Sequence, residues 1–316
     1  MILITGAAGN VGAELIKKLS ERGTPARAFV RNRAQARAIA LPGVEIVEGD
    51  FTKPEKLARA LVGVDRLFLL IPSSSQVEKQ QRGFVDAAKR SGVRHIVKLS
   101  QLGADTHSPG RFQRYHGAVE NHILRSGIAH TFLRPNLFMQ GLLNFRSAIS
   151  SQGTLFAAAR NAKISIVDVR DIASVAECAL TESGHEGKTY DITGSEALTH
   201  AQMVEQLSPA LGKPIKYVDV PLEAFREGLL SFGLPPWQAE GIVEDYEQYR
   251  RGEASLVTST VRDLTGNEPI SFSRFAHDYA AKFLSKAAGA SWVSLILHHV
   301  EHRLSPSPAT PHPITL

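Results

Sequence analysis

Three glycines, at positions 6, 9 and 12, stand directly between an apolar run and a stretch of helical spacing. The run is MILIT at residues 1–5, and after the glycines begin Val11, Leu15, Ile16 and Leu19 fall on one helical face. Few folds turn a buried strand into a helix through glycines so spaced. Gly6 allows the sharp exit from the strand, Gly9 lets the backbone approach a pyrophosphate, and Gly12 lets the helix pack close to the sheet. The helix then aims free N–H groups and its dipole at the phosphates. On this reading Gly6, Ala8, Gly9, Asn10 and Val11 form a cradle for a dinucleotide; the alternative is a tight turn with no ligand.

The chain that follows repeats the alternation. Strands are expected at residues 1–5, 26–30, 44–48, 66–71, 95–100 and 131–134, with helices at 11–20, 54–61, 76–91 and 112–126. Connections are short and most strands are apolar on both faces, which predicts an α/β fold: a doubly wound parallel sheet with helices on both faces. Beyond residue 135 the pattern loosens, with helices expected at 137–150, 171–180, 199–211, 222–232 and 235–250 and strands at 164–169, 188–193 and 215–220. The expected organisation is a nucleotide-binding core over 1–135. Residues 136–285 complete the sheet and add a small, mainly helical substrate lobe interleaved with the core. Residues 286–316 form a flexible tail, because Pro306, Pro308, Pro311 and Pro313 preclude a regular helix there.

The end of the second strand speaks to which nucleotide. An acidic residue there binds a ribose 2′-hydroxyl and favours NAD. Residues 22–37 instead hold five arginines and no acid. Arg31, at the strand end, suits a 2′-phosphate, so NADPH/NADP+ is expected over NADH; the alternative is a solvated basic face. After the third strand, Asp50 is placed to accept from the adenine amino group and Phe51 to line its pocket, unless they only turn the chain. Ile71 and Pro72 end the fourth strand, where the chain borders the cofactor's ribose.

Composition narrows the remaining classes. Of 316 residues, 43% are hydrophobic and 21% charged, which excludes a disordered chain. No apolar run approaches 18 residues, so no membrane span is expected. Cys178 is the single cysteine and cannot form an internal disulfide. With no basic stretch before the N-terminal apolar run, a cytoplasmic protein is expected. A net charge of +5 is modest for this length, so no nucleic-acid partner is expected. His298, His299 and His302 have no evident fourth ligand, and no metal site is expected.

The loop at 5–12, Val30-Arg31-Asn32, Gly49-Asp50 and the run at 87–97 (AAKRSGVRHIV) together resemble the NmrA-like group of atypical short-chain dehydrogenases/reductases. So do His116-Gly117-Ala118-Val119-Glu120, the segments 131–136, 167–173 and 187–194, and Gly252-Glu253-Ala254-Ser255. Within the group the resemblance is to the triphenylmethane reductase and NADPH quinone oxidoreductase type, over roughly residues 1–285. It implies a Rossmann domain with a small C-terminal lobe and a cleft between them. It also implies NADPH along the glycine loop and hydride transfer to a small electron-poor aromatic acceptor, by a monomer or homodimer.

Short-chain dehydrogenases of the usual kind place a Tyr-x-x-x-Lys pair on one helix, where the lysine lowers the tyrosine pKa. Here Tyr115 stands in the right region and is a catalytic candidate, but Val119 follows four residues later, so the pair is absent. His116 and Glu120 are instead four apart, on one helical face. The resemblance puts them near the nicotinamide, with His116 as proton donor or substrate contact and Glu120 orienting it or touching the cofactor; otherwise the face is inert. Ser100 ends the fifth strand where the wider family keeps a catalytic serine, and either lines the nicotinamide site as a cofactor contact or is a plain strand end. Asn136 borders the cofactor, and Gln101 and Phe138 line the acceptor pocket. Arg134 reads as structural, Asp168 and Asp171 as turn and cap, and Cys178 as a buried inert thiol. Residues 225–249, with Phe232, Trp237, Tyr246 and Tyr249, are either a hydrophobic lid or core. Two functions stay open: an NADPH-dependent reductase of quinones, azo compounds or triphenylmethane-type dyes, and a non-catalytic redox sensor that binds NADP(H) and a regulatory protein partner.

Overall fold

The computed structural model describes residues 1–285. In chain order its strands and helices are β1 (Ile2–Ile4), α1 (Asn10–Glu21), β2 (Ala26–Val30), β3 (Val44–Glu48), α2 (Pro54–Ala60), β4 (Arg66–Leu69), α3 (Val77–Arg90), β5 (His95–Leu99), α4 (Arg111–Ser126) and β6 (Ala129–Pro135). There follow α5 (Arg146–Gln152), β7 (Thr154–Ala157), α6 (Val169–Thr181), β8 (Lys188–Ile192), α7 (His200–Leu211), β9 (Lys216–Asp219), α8 (Leu222–Ser231), α9 (Pro236–Arg250), α10 (Thr260–Thr265), α11 (Phe272–Asp278) and α12 (Ala280–Leu284).

Seven strands form one parallel sheet in the order β3-β2-β1-β4-β5-β6-β8. This is a Rossmann-type doubly wound sheet. Strand order reverses between β1 and β4, so a crevice opens beyond their carboxyl ends. Ile2, Leu3 and Ile4 are all buried, as expected of a central strand covered on both faces. On one face α1 packs Val11, Leu15, Ile16 and Leu19 against Ile172, Val175 and Ala176 of α6. On the other, Phe84 and Val85 of α3 meet Val119 and Ile123 of α4. A third core lies in the C-terminal half, where Phe156, Met203, Phe225, Tyr246 and Phe275 meet.

The expected strand at 188–193 joins the main sheet as β8, with Thr131 opposite Lys188. Two expectations fail. The helix at 137–150 is instead a 3-10 turn, Met139–Phe145, followed by α5, which Gly153 ends with φ 63°. The strand at 164–169 forms only isolated bridges, Phe138 with Val167 and Ile164 with Leu198. Its apolar side chains are buried, but its backbone pairs with loops: Ser165 N–H donates to Ala254 O, and Asp168 already caps α6. Strand β7 had no clear signal; it pairs in parallel with β9, outside the main sheet. The tail and histidine readings for 286–316 lie outside the described residues. Among the described residues no helix is long and apolar enough to cross a membrane, and no cluster of metal-ligating side chains occurs.

Candidate functional site

The crevice begins at the glycine loop. Thr5 Oγ1 donates to Phe68 O and accepts from Leu70 N–H at 2.8 Å, which stitches β1 to β4 at the reversal point. Gly6 takes φ 63°, a left-handed turn that a side chain resists. A Cβ on Gly12 would run into the Gly6 carbonyl and the Ala7 Cα, so α1 starts hard against the loop. Gly9 caps α1 without a side-chain hydrogen bond, and the first turn carries no acid. Its N–H groups therefore point, uncapped by any side chain, toward the crevice. This is a fit for a phosphate group. Val11 contributes only backbone there, since its side chain is in the core.

Two neighbouring cavities lie along the crevice from the loop, with Leu70 and Pro72 lining both. Gly6, Ala8, Gly9, Arg31, Phe51 and Pro72 line the first, of about 240 Å³. Arg31 is exposed at its rim, and Phe51 packs at a tilt on Phe29, ring centroids 5.1 Å apart. Asp50 does not line this space: its Oδ1 accepts from the Thr52 N–H and hydroxyl, which hold the carboxyl below its usual range.

The second is larger, about 620 Å³. The structure gathers there Asn10, Ile71, Pro72, Ser100, Gln101, Tyr115, His116, Asn136 and Phe138, nine of the residues singled out from sequence. Glu120 is not among them. It lies buried behind the wall, where it accepts from Ser100 Oγ at 2.5 Å and from Arg134 Nε and Nη2 at 3.1 and 2.5 Å. Its place is that of an anchor for Ser100 and Arg134. Asn136 reaches the cavity but spends its amide on Ser165 Oγ and Ala254 O, tying β6 to the second half.

His116 is buried, with its ring 4.1 Å from that of Tyr115. Its Nδ1 lies 2.6 Å from Lys98 Nζ, which also donates to Leu99 O. Burial, then the Lys98 and Arg134 charges, push the imidazole well below its ordinary pKa. Burial brings Lys98 down to about 7 against the pull of Glu120. An ammonium or amine that donates to Nδ1 leaves the other ring nitrogen, Nε2, carrying the hydrogen. Tyr115 sits 3.1 Å from Ser73 Oγ, and burial raises its pKa, so it is a neutral hydroxyl and no base.

Sequence reasoning missed three polar residues here. Lys98 carried a signal, a lysine within an otherwise apolar central strand. Asp245 and Gln248 of α9 carried none. Asp245 accepts from Gln101 Nε2 at 3.1 Å, and burial lifts its carboxyl to about 7. Gln248 is buried with its Nε2 lacking a protein partner. Helix α9 forms one wall of the cavity and is tied to the core domain. Arg111 grips Glu244 with two nitrogens, and Gln238 Nε2 donates to Ser73 O at 2.6 Å. Trp237 packs on Phe112 and Tyr115, Tyr246 and Tyr249 are buried, and only Phe232 of that aromatic set is exposed. Arg134 is structural, Asp168 caps α6 and Cys178 is buried, as read from sequence; Asp171 is no cap but lies inside α6, where it accepts from Ile270 N–H.

Known proteins share this arrangement. An NAD(P)H azoreductase of Xenophilus azovorans is 36% identical over 283 residues, 90% of this chain and 99% of the azoreductase. The crystal structure of an Escherichia coli NADPH-dependent quinone oxidoreductase with NADPH superposes with a TM-score of 0.80 at 31% identity, covering 88% of this chain and 99% of that one. The Citrobacter triphenylmethane reductase complexed with NADP(H) gives 0.79 at 29% identity, covering 89% and 100%. The sequence pattern of the NmrA-like family matches residues 1–258. On these grounds, and on the parallel sheet and glycine crevice that carry them, the chain belongs to the NmrA-like family.

Proposed function

We propose that the chain is an NADPH-dependent reductase of small electron-poor aromatic acceptors: quinones, azo compounds or triphenylmethane-type dyes. The observation that carries this reading is the run of a glycine cradle into a 620 Å³ cavity walled by Ser100, Tyr115 and His116. The named relatives that share the fold reduce acceptors of these kinds.

Gly6, Ala8 and Gly9, with the backbone N–H groups of Asn10 and Val11, hold the pyrophosphate. Arg31 pairs with the 2′-phosphate, which selects NADPH over NADH. Phe51 borders the adenine, and Ile71, Pro72, Ser100 and Asn136 the nicotinamide half. Gln101 and Phe138 face the acceptor. Bound NADPH supplies the hydride, from C4 of the nicotinamide ring, and is left as NADP+. A quinone or azo group also takes one proton, to become a hydroquinone or a hydrazo compound; a cationic dye takes the hydride alone. His116 gives that proton from Nε2 while Nδ1 receives one from Lys98, so the ring stays neutral. Tyr115 and the α9 wall exclude water and orient the acceptor ring.

The test is purified protein with NADPH, followed at the reduced nicotinamide absorbance while quinones, azo dyes and cationic dyes are added. Acceptor-dependent loss of the band is expected. Tight NADPH binding with no oxidation by any acceptor would overturn the reading in favour of a redox sensor.

A further inference from the structure

Next to the cleft lies a second cavity, of about 280 Å³. Its walls are Phe225 and Leu229 of α8, Phe232 at the C-cap of that helix, and Ile242 and Tyr246 of α9. Phe225 and Leu229 are four apart, so one face of that helix is turned to the space, and Phe232 follows just beyond its end. The Tyr246 hydroxyl sits 3.3 Å from His200 Nε2, so its polar end is engaged and its ring is what lines the wall. Leu137, Phe138, Gly141 and Asn144 line both this cavity and the cleft. The two spaces therefore adjoin along these four residues, which is where an arm on a ring held at His116 would enter the second one. At the far side Phe232 is 45% exposed, so the apolar surface runs out to solvent.

We propose that this cavity holds a hydrocarbon arm of the acceptor: the physiological substrate carries, on its electron-poor ring, an alkyl or isoprenoid chain of about ten carbons. The inference rests on the reductase reading above and adds the substrate class to it. The length follows from volume, since a cavity of about 150 Å³ admits benzene and this one has roughly twice that. The apolar character follows from the walls. Asn144 at the junction is the one side chain with a hydrogen-bonding group open to the arm among the residues named here, and a charge buried there would go unpaired. Most small-molecule sites are built this way, with polar groups at the reacting end and apolar area for affinity.

The experiment is calorimetric titration of the full-length protein, saturated with NADP+, with benzoquinones bearing n-alkyl chains of zero to fourteen carbons. NADPH oxidation with the same compounds is measured in parallel. The expected result is a Kd that falls about fourfold per methylene, then levels near ten carbons, and a loss of that gain when the chain ends in a carboxylate. Two variants locate the effect. Leu229→Trp fills the second cavity. Gly141→Leu closes the junction, where a Cβ meets nothing within 4 Å. Each is expected to cut the ratio of long-chain to unsubstituted affinity at least tenfold. A Kd independent of chain length, or a chain-length gain that both variants retain, overturns the proposal. Absence of NADPH oxidation at every chain length overturns the reductase reading instead, and the binding series still decides the cavity.

Discussion

Lys98 Nζ lies 2.6 Å from His116 Nδ1, with both side chains buried between β5 and α4. A lysine in a central strand thus fixes which nitrogen of a cavity histidine bears its hydrogen. With Lys98 at about 7, the pair holds a mobile proton near neutral pH.

For quinone reduction, kcat is expected to fall as pH rises above about 7, because deprotonated Lys98 no longer refills His116. Reduction of a cationic dye, which takes no proton, keeps a flat profile over the same range. Lys98→Met is expected to lower the quinone rate and remove its pH dependence. Parallel pH profiles for the two acceptors in the native protein would sink the relay.

His116→Leu is expected to lower quinone kcat about a hundredfold, the size of a lost general acid, and to change dye kcat less than about threefold. Steady-state kinetics with both acceptors on one preparation checks it. Equal losses would mean that His116 shapes the cavity rather than donating.

Lys98 also sets a pH dependence of stability. Its pKa in the fold is about 7 and 10.5 when exposed, so between those values the unfolded chain holds the proton and the native chain does not. Stability therefore rises with pH across that window, and below pH 7 the burial penalty is fully present. Lys98→Met is expected to stabilise the fold relative to the native protein most at pH 6, the difference shrinking by about 2 kcal/mol by pH 9. Urea unfolding at the two pH values measures it, and an unchanging difference contradicts it.

Glu120→Ala leaves Arg134, and the hydroxyl of Ser100, without their buried partner. The expected loss is about 3 kcal/mol of unfolding free energy. Replacing Arg134 by methionine in the same chain is expected to recover part of it, because the unpaired charge is gone. Denaturant melts of the single and double variants decide; additive losses would show that the pair is not coupled.

Arg31→Ala is expected to raise the Kd for NADPH about ten- to a hundredfold, the worth of a charge-assisted fork, and that for NADH less than about twofold. Fluorescence titration with both nucleotides is enough. Matching losses would place the 2′-phosphate elsewhere.

What the amino-acid sequence determined by itself is what short-range spacing controls. The glycines at 6, 9 and 12 required a strand-to-helix turn with an open helix start, and alternating apolar runs required a parallel sheet covered on both faces. Ser100, Gln101, Tyr115, His116 and Asn136 reach one cavity because the ends of β5 and β6 and the inner face of α4 all meet at the open edge of that sheet. Tertiary structure decided the rest. Glu120 shares a helical face with His116, yet packing turns it away from the cavity onto Arg134. The apolar run at 164–169 has the composition of a strand, but the loops around Leu137, Leu198 and Ala254 claim its backbone groups. Lys98 with His116, Gln101 with Asp245, and the junction of two cavities at Gly141 each join residues from separate elements. Periodicity says which face of an element is buried; only the packing of the elements says what each buried polar group meets there.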